Sequence, residues 1–444
     1  MADISAGRRI WGWYFFDWAS QPYNTLLVTF IFAPYLKELL GGGAEAQALW
    51  GFWVGGAGVA MAILAPILGA LADATGSRMR WIQIFSVMYV IGSAGLWLAI
   101  PGSFNPTLVL LLFCVGLIGM EFATIFTNAI LPDLGPKEEI GRISGNGWAF
   151  GYLGGLVALI IMLLLFAENE ATGKTLLGFA PAFGLDPDTR QGTRFVGPFS
   201  ALWFVVFMIP FYLYVRDPKP APAPPGAVRA SLLGLWGTIK SLPKTPSLFA
   251  FLGSSMLYRD GLNGMYIFGG IYAAGVLGWS VPQTGVFGIV AIITGALFAW
   301  LGGHADDAFG PKRVISISIV VLTFVAASLV FVSPDAVFGV PVAEGSRLPD
   351  ILFYILGAMI GAAGGTLQSA SRTMMVRQAN PARMTEAFGL YGLAGKAMSF
   401  LAPIMVGVAT TVSGSQQIGI IPLIGLFLLG LVLLSWVKDA PERD

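Results

Sequence analysis

Charge is scarce in this chain. Only 11% of its 444 residues are charged, while 56% are hydrophobic and the mean hydropathy is +0.76. A soluble chain carries roughly 25% charged residues, and no soluble core can hide so much apolar surface. The formal net charge is +1. That leaves no cationic excess of the kind that phosphate binding needs, and it argues against a nucleic-acid partner. A single cysteine, Cys114, lies in an apolar run. It forms neither an internal disulfide nor a cysteine metal cluster, and it reads as a small hydrophobe inside a helix. The lone histidine, His304, reads as a loop residue rather than a proton relay.

Catalytic motifs are missing as well. There is no HExxH, no GxSxG elbow and no paired His/Cys set that would hold a metal. GLYGLAGKA has the wrong glycine spacing for a phosphate loop, and ATGKT lacks its upstream glycine. GNGWAFG opens an apolar helix instead of following a strand, so it is not a dinucleotide turn. These absences argue against an enzyme, a resident cofactor or metal, and a primary pump.

What the chain does have is apolar runs of about 20 residues, the length that crosses a hydrocarbon core as helix. Twelve are found, near 10–36, 49–72, 81–100, 107–131, 142–167, 198–215, 247–276, 283–302, 314–333, 349–371, 385–412 and 417–437. The fold class expected is all-α: twelve transmembrane helices in two pseudo-symmetric six-helix bundles. The opening MADISAGRRIWGWYFFDWAS lacks the short apolar core and cleavage site of a secretory signal, so the first helix is expected to remain.

Basic residues set the expected orientation, because basic loops stay on the cytoplasmic side. With both termini inside, Arg8, Arg9, Arg78, Arg80, Lys137, Lys219, Arg372, Lys438 and Arg443 fall with most of the 25 Lys and Arg on that side. Lys37, Lys174, Arg190, Arg194 and Arg347 remain outside. The expected location is the bacterial inner membrane, with a small-molecule substrate and lipid as partners and a monomeric state. Between spans six and seven, RDPKPAPAPPGAVRASLLGLWGTIKSLPKTP begins with prolines that cannot continue a helix. It divides the chain into a bundle at 1–215, a linker at 216–246 and a bundle at 247–444. Within it, SLLGLWGTIKSL reads equally as a surface-lying amphipathic helix with Trp236 at the interface, or as a plain connector. The longest outer loop, 168–197, carries no motif.

A repeat supports the two halves. After the second span comes GALADATGSRMR, with Gly69, Asp73, Gly76 and Arg78, and after the eighth comes GHADDAFGPKR, with Gly303, Asp307, Gly310 and Lys312. The small residue lets another helix approach, the aspartate caps or pairs, and the second glycine turns the chain. The pair resembles the cytoplasmic gating motif of the major facilitator superfamily. That resemblance implies a rocker-switch transporter with a binding site near mid-membrane between the halves. More narrowly, YFFDWASQPYNTLLVTFIFAPYL, TNAILPDL, GRISGNGWAFGYLGG, YRDGLNGMY, LQSASR and FGLYGLAGKAMSFLAP resemble the vacuole-effluxer-like branch, bacterial relatives of the autophagy-related vacuolar amino-acid effluxers. This implies transport of an amino acid or an amino-acid-like solute.

The residues point to a pathway independently. An ionisable group in a spanning helix costs several kcal/mol unless it meets a partner or a wet cavity. Asp17, Gln21 and Asn24 recur at i, i+4 and i+7 on the first span, Glu121, Thr124 and Asn128 share a face of the fourth, and Arg259, Asn263 and Tyr266 share a face of the seventh. Asp260 points about 100° from Arg259. Asn146 on the fifth, Gln368 on the tenth and Lys396 on the eleventh complete the candidate substrate pathway. Arg259 or Lys396 would receive a substrate carboxylate, and Glu121 or Asp17 an ammonium. The alternative is that these charges pair with one another and touch no solute. A buried carboxylate, Glu121 or Asp260, would serve proton coupling, which facilitated diffusion would not require. Two other readings stand beside these: an exporter of amphipathic drugs or lipids, and a non-transporting membrane sensor.

Overall fold

The computed structural model describes residues 4–41, 43–216, 226–279 and 281–439. Lys219 and Arg443, together with residues 217–225 of the linker, lie outside the described residues. The remainder is almost wholly helical. In chain order the helices are α1 (Ala6–Pro22), α2 (Phe32–Leu39), α3 (Gly43–Thr75), α4 (Arg78–Gly95), α5 (Pro106–Asn128), α6 (Ile140–Ile161), α7 (Gln191–Arg194), α8 (Val196–Phe207) and α9 (Ile209–Tyr214). They continue as α10 (Ala227–Ser241), α11 (Pro246–Gly275), α12 (Val281–Phe309), α13 (Pro311–Leu329), α14 (Leu348–Gln378), α15 (Met384–Ala397), α16 (Leu401–Ser413), α17 (Gln416–Gly419) and α18 (Ile421–Ser435). A two-stranded hairpin, Ala336–Val337 with Val340–Pro341, is the only sheet among the described residues.

Ten helical segments among the described residues are long and apolar enough to cross a membrane. The other two expected spans are the polar ones. The first is not one continuous α-helix: α1 passes into a π-helical stretch, Tyr23–Phe30, and breaks at Ile31 before α2. The seventh, α11, is 30 residues long but carries Arg259, Asp260 and Asn263. Large apolar side chains such as Phe52, Val59, Ile63 and Val412 are exposed on the spanning helices, as hydrocarbon contact requires.

Backbone contacts group the residues into two compact units, one of Met1–Ile130 with Phe150–Val228 and the other of Leu131–Ala149 with Arg229–Asp444. In the first, α4 packs on α5 and α8, α1 on α8 and α9, and α3 on α5. Glycines bring α6 against α1: a Cβ at Gly154 would meet the Trp18 carbonyl at 2.7 Å, and one at Gly155 would meet Thr25 Oγ1 at 2.5 Å. In the second, α12 packs on α14, α13 on α14 and α18, and α11 on α15 and α18. Helix α6 begins among residues of the second unit and continues into the first.

Two boundaries differ from the apolar pattern. Helix α14 extends to Gln378, so Arg372, read as a loop cation, lies inside the helix and is 3% exposed. His304 likewise sits on α12, exposed, with Nδ1 2.9 Å from the carbonyl of Trp300.

Candidate functional site

In the first unit the polar stripes coincide with the less covered helix faces. On α5, Glu121, Thr124 and Asn128 are half-buried, whereas Phe122, Ala123, Ile125, Phe126 and Thr127 between them are buried. On the first span, Asp17, Gln21 and Asn24 are half-buried while Phe16, Ala19, Ser20 and Tyr23 are enclosed. The two stripes meet at Met120: Asn24 Nδ2 lies 3.9 Å from its sulfur, and Thr124 Oγ1 donates to its carbonyl at 2.8 Å. Asn24 also falls within the π-helical stretch, where its carbonyl accepts from Thr29 Oγ1 at 2.8 Å. Such stretches mark functional positions in many helices.

In the second unit the stripe on α11 is more open. Arg259 is half-buried and Asn263 and Tyr266 are exposed, whereas Tyr258, Asp260, Gly261 and Leu262 are buried. Arg259 is held in place by α15. Its guanidinium carbon lies 4.3 Å from the centre of the Tyr391 ring, and Nη1 donates to the Tyr391 carbonyl at 3.1 Å. Gly395 makes the room: a Cβ there would meet Nη1 at 2.5 Å. Lys396, Asn146 and Gln368 are half-buried on α15, α6 and α14.

Asp260 is placed elsewhere. It is 4% exposed, and its Oδ2 accepts from the backbone N–H of Ala402 at 2.7 Å. The eleventh span is interrupted between Ala397 and Leu401, and Asp260 caps the restarted helix α16. A carboxylate is favoured there by the unpaired N–H groups and the positive end of the helix dipole.

The repeated motif has the same local build in both copies. Asp73 and Asp307 each lie two residues before the end of their helix. Gly76 and Gly310 follow at φ +63° and +84°, in the left-handed region that a side chain disfavours. Each basic residue then donates to the carbonyl end of another helix: Arg78 Nη1 to Ala129 at 2.5 Å, and Lys312 Nζ to Ser435 at 3.2 Å and Val437 at 2.5 Å. Gly69 is buried.

The second copy also grips the start of α6. Asp307 Oδ1 accepts from the Arg142 N–H at 3.0 Å. Gly303 and Gly145 pack backbone to backbone, a Cβ at Gly145 falling 2.7 Å from the Gly303 Cα. Arg372 fastens the next turn. Its Nε donates to Ser144 Oγ at 2.9 Å and its Nη2 to the Ser144 carbonyl at 2.6 Å, while Ser144 Oγ donates to the Ser369 carbonyl at 2.9 Å. Its guanidinium also lies 5.7 Å from the Trp148 ring centre. Sequence reasoning missed Arg372 because it stands one residue beyond the apolar run; Ser369, three residues earlier and so on the same helix face, was the available signal.

The loop at 168–197, motif-free in sequence, is tightly built. Glu168 is buried and accepts from Thr193 N–H and Oγ1, and Arg194 donates to the Trp97 carbonyl. A cavity of about 690 Å³ opens beside it, with Tyr35, Glu38, Glu170, Lys174 and Arg190 in its wall.

Residues 56–442 match the family described as "Vacuole effluxer Atg22 like". The chain belongs to the vacuole effluxer Atg22-like family. The Atg22-like chain is 25% identical over 97% of its length to the uncharacterized MFS-type transporter YxiO of Bacillus subtilis, of which it covers 95%. It is 26% identical over 68% of its length to autophagy-related protein 22 of Coccidioides immitis, and there it spans only 49% of the fungal protein. Among solved structures, the human organic anion transporter MFSD10 superposes with a TM-score of 0.69 at 15% identity, over 97% of this chain and 100% of that one. The fold is therefore that of the major facilitator superfamily, and the Atg22-like chain is a multi-pass membrane transporter, not an enzyme.

Proposed function

We propose that this transporter carries a small zwitterionic solute, an amino acid or a close analogue, by rocker-switch alternating access. The observation that carries this reading is the position of Arg259. It is a fixed cation on the open face of α11, oriented by Tyr391 and aligned with Asn263 and Tyr266. A guanidinium so oriented loses little freedom on receiving a carboxylate in a bidentate fork. Lys396 is the second cation of the set, and Glu121 and Asp17 are the carboxylates for an ammonium. The effluxer description of the family supports a small solute, and the charges disfavour a purely apolar one.

In this reading Asp73 and Asp307, with their glycines and basic partners, act as cytoplasmic latches that release during the cycle. Both termini are then cytoplasmic, and the chain works as a monomer in the bacterial inner membrane. Coupling to the proton gradient is part of the same proposal.

The test is uptake of labelled amino acids into liposomes by Glu121→Gln, Arg259→Lys and Lys396→Gln. Arg259→Lys keeps the charge but loses the fork and the ring contact, so transport should fall by about tenfold, an effect of roughly 1.4 kcal/mol. Unchanged uptake in all three variants defeats the assignment. Flux that is indifferent to an imposed pH gradient defeats proton coupling while leaving the solute site standing.

A further inference from the structure

Helix α10 is turned inside out relative to a soluble amphipathic helix. The side it lays on the protein is small and polar: Ser231, Gly234 and Thr238, with Leu235 as the one buried large residue at 5% exposure. Arg383, just ahead of α15, holds that side. Its Nη1 donates to Thr238 Oγ1 at 2.7 Å, and a Cβ at Gly234 would come within 3.0 Å of its Nη2. The outward side is apolar instead, with Leu233 61% exposed, Trp236 57% and Leu232 39%. These positions repeat at helical spacing, so they form one stripe.

Cations bracket the stripe. Arg229 and Lys240 are exposed at its two ends, about 16 Å apart at helical rise. Lys240 Nζ lies 5.2 Å from the Trp236 ring centre, so a positive head sits directly over the apolar surface. No Asp or Glu occurs from Pro218 to Arg259. The helix also stands between two membrane-spanning stretches, the sixth ending at Tyr214 and the seventh starting at Pro246, which ties it to a bilayer surface.

We propose that α10 is an anionic-lipid docking element: Leu232, Leu233 and Trp236 enter the acyl boundary, and Arg229 and Lys240 bind lipid phosphates on either side. A soluble partner protein would be met by this uniform positive charge without the bilayer continuity. An anionic bilayer supplies both an apolar layer and negative headgroups at the same depth. Through Thr238 and Arg383, which also pairs with Glu386 at the start of α15, the docked helix is joined to the span that carries Tyr391 and Lys396.

The test uses the full chain in a Cys114→Ala background. An environment-sensitive fluorophore is attached at Leu233→Cys or, as a water-exposed control, at Glu344→Cys. The proteins are placed in nanodiscs of phosphatidylcholine alone and of phosphatidylcholine mixed with phosphatidylglycerol. Emission at position 233 should be blue-shifted relative to position 344, and further so with phosphatidylglycerol. Adding Arg229→Gln and Lys240→Gln should abolish that extra shift and lower phosphatidylglycerol retained by the purified protein by roughly tenfold. A probe at 233 as wet as the one at 344 overturns the proposal. So does a dry probe indifferent both to phosphatidylglycerol and to the two substitutions. Disulfide-linked dimers through Leu233→Cys identify a second copy as the occupant, and overturn it too.

Discussion

Asp260 lies beside Arg259 in the chain, yet it faces the restarted helix α16, where its Oδ2 takes the Ala402 N–H at 2.7 Å. Neighbouring charges on one helix thus do separate jobs, because successive residues point about 100° apart. One supports the backbone and the other is presented on the open face of α11.

A cap of this kind contributes about 1–2 kcal/mol. Asp260→Ala should lower the thermal midpoint of the detergent-solubilised protein, and Asp260→Asn, which keeps an acceptor oxygen, should lower it less. Equal losses in the two variants would show that the carboxylate charge, not the cap bond, matters.

Ser144 and Arg372 should be energetically coupled. Ser144→Ala removes a hydroxyl that donates to Ser369 and accepts from Arg372, an expected loss of about 1–2 kcal/mol. Arg372→Lys cannot reproduce the two bonds. A double-mutant cycle by thermal unfolding should return a coupling of about 0.5–3 kcal/mol, and strict additivity would mean the bonds are not formed in solution.

Gly76 and Gly310 should resist substitution. At φ +63° and +84° an alanine costs roughly 1–2 kcal/mol, so either Gly→Ala variant should be less stable than wild type. Gly58, with open space where a Cβ would stand, is the internal control and should tolerate the change.

Glu38 predicts a pH dependence. Partial burial holds its carboxyl above the ordinary value of 4.5, the neighbouring Glu170 carboxyl raises it further, and Arg190, 3.9 Å away, opposes the rise. The folded state therefore binds more protons than the unfolded one at pH just above 4.5, and Glu38's contribution weakens as pH rises through that window. The thermal midpoint of Glu38→Gln should fall less over the same pH range than that of wild type. Parallel curves would show that Glu38 does not carry the effect.

The span pattern was legible because a bilayer penalises every unpaired backbone group and charge, which forces long apolar helices and makes polar exceptions visible. Hence α3 to α6 and α12 to α14 were readable as apolar runs, and Asp17, Glu121 and Arg259 as candidates. The break in the first span was less visible, since nothing in the apolar count marks Tyr23–Phe30 as π-helical. The Ser144–Arg372 fastening was also hidden, being an interaction over 228 residues of chain.

The amino-acid sequence by itself determined the helical class, the duplicated turn motif and the helical face on which each polar residue lies, because periodicity and bilayer cost act locally along the chain. Only the tertiary structure decided that Asp260 supports α16 while Arg259 stacks on Tyr391, that Asp307 and Arg372 hold the start of α6, and that α10 shows its apolar stripe outward. Those outcomes depend on which helix ends and glycine gaps arrive beside each side chain, and helix spacing alone carries no record of its neighbours.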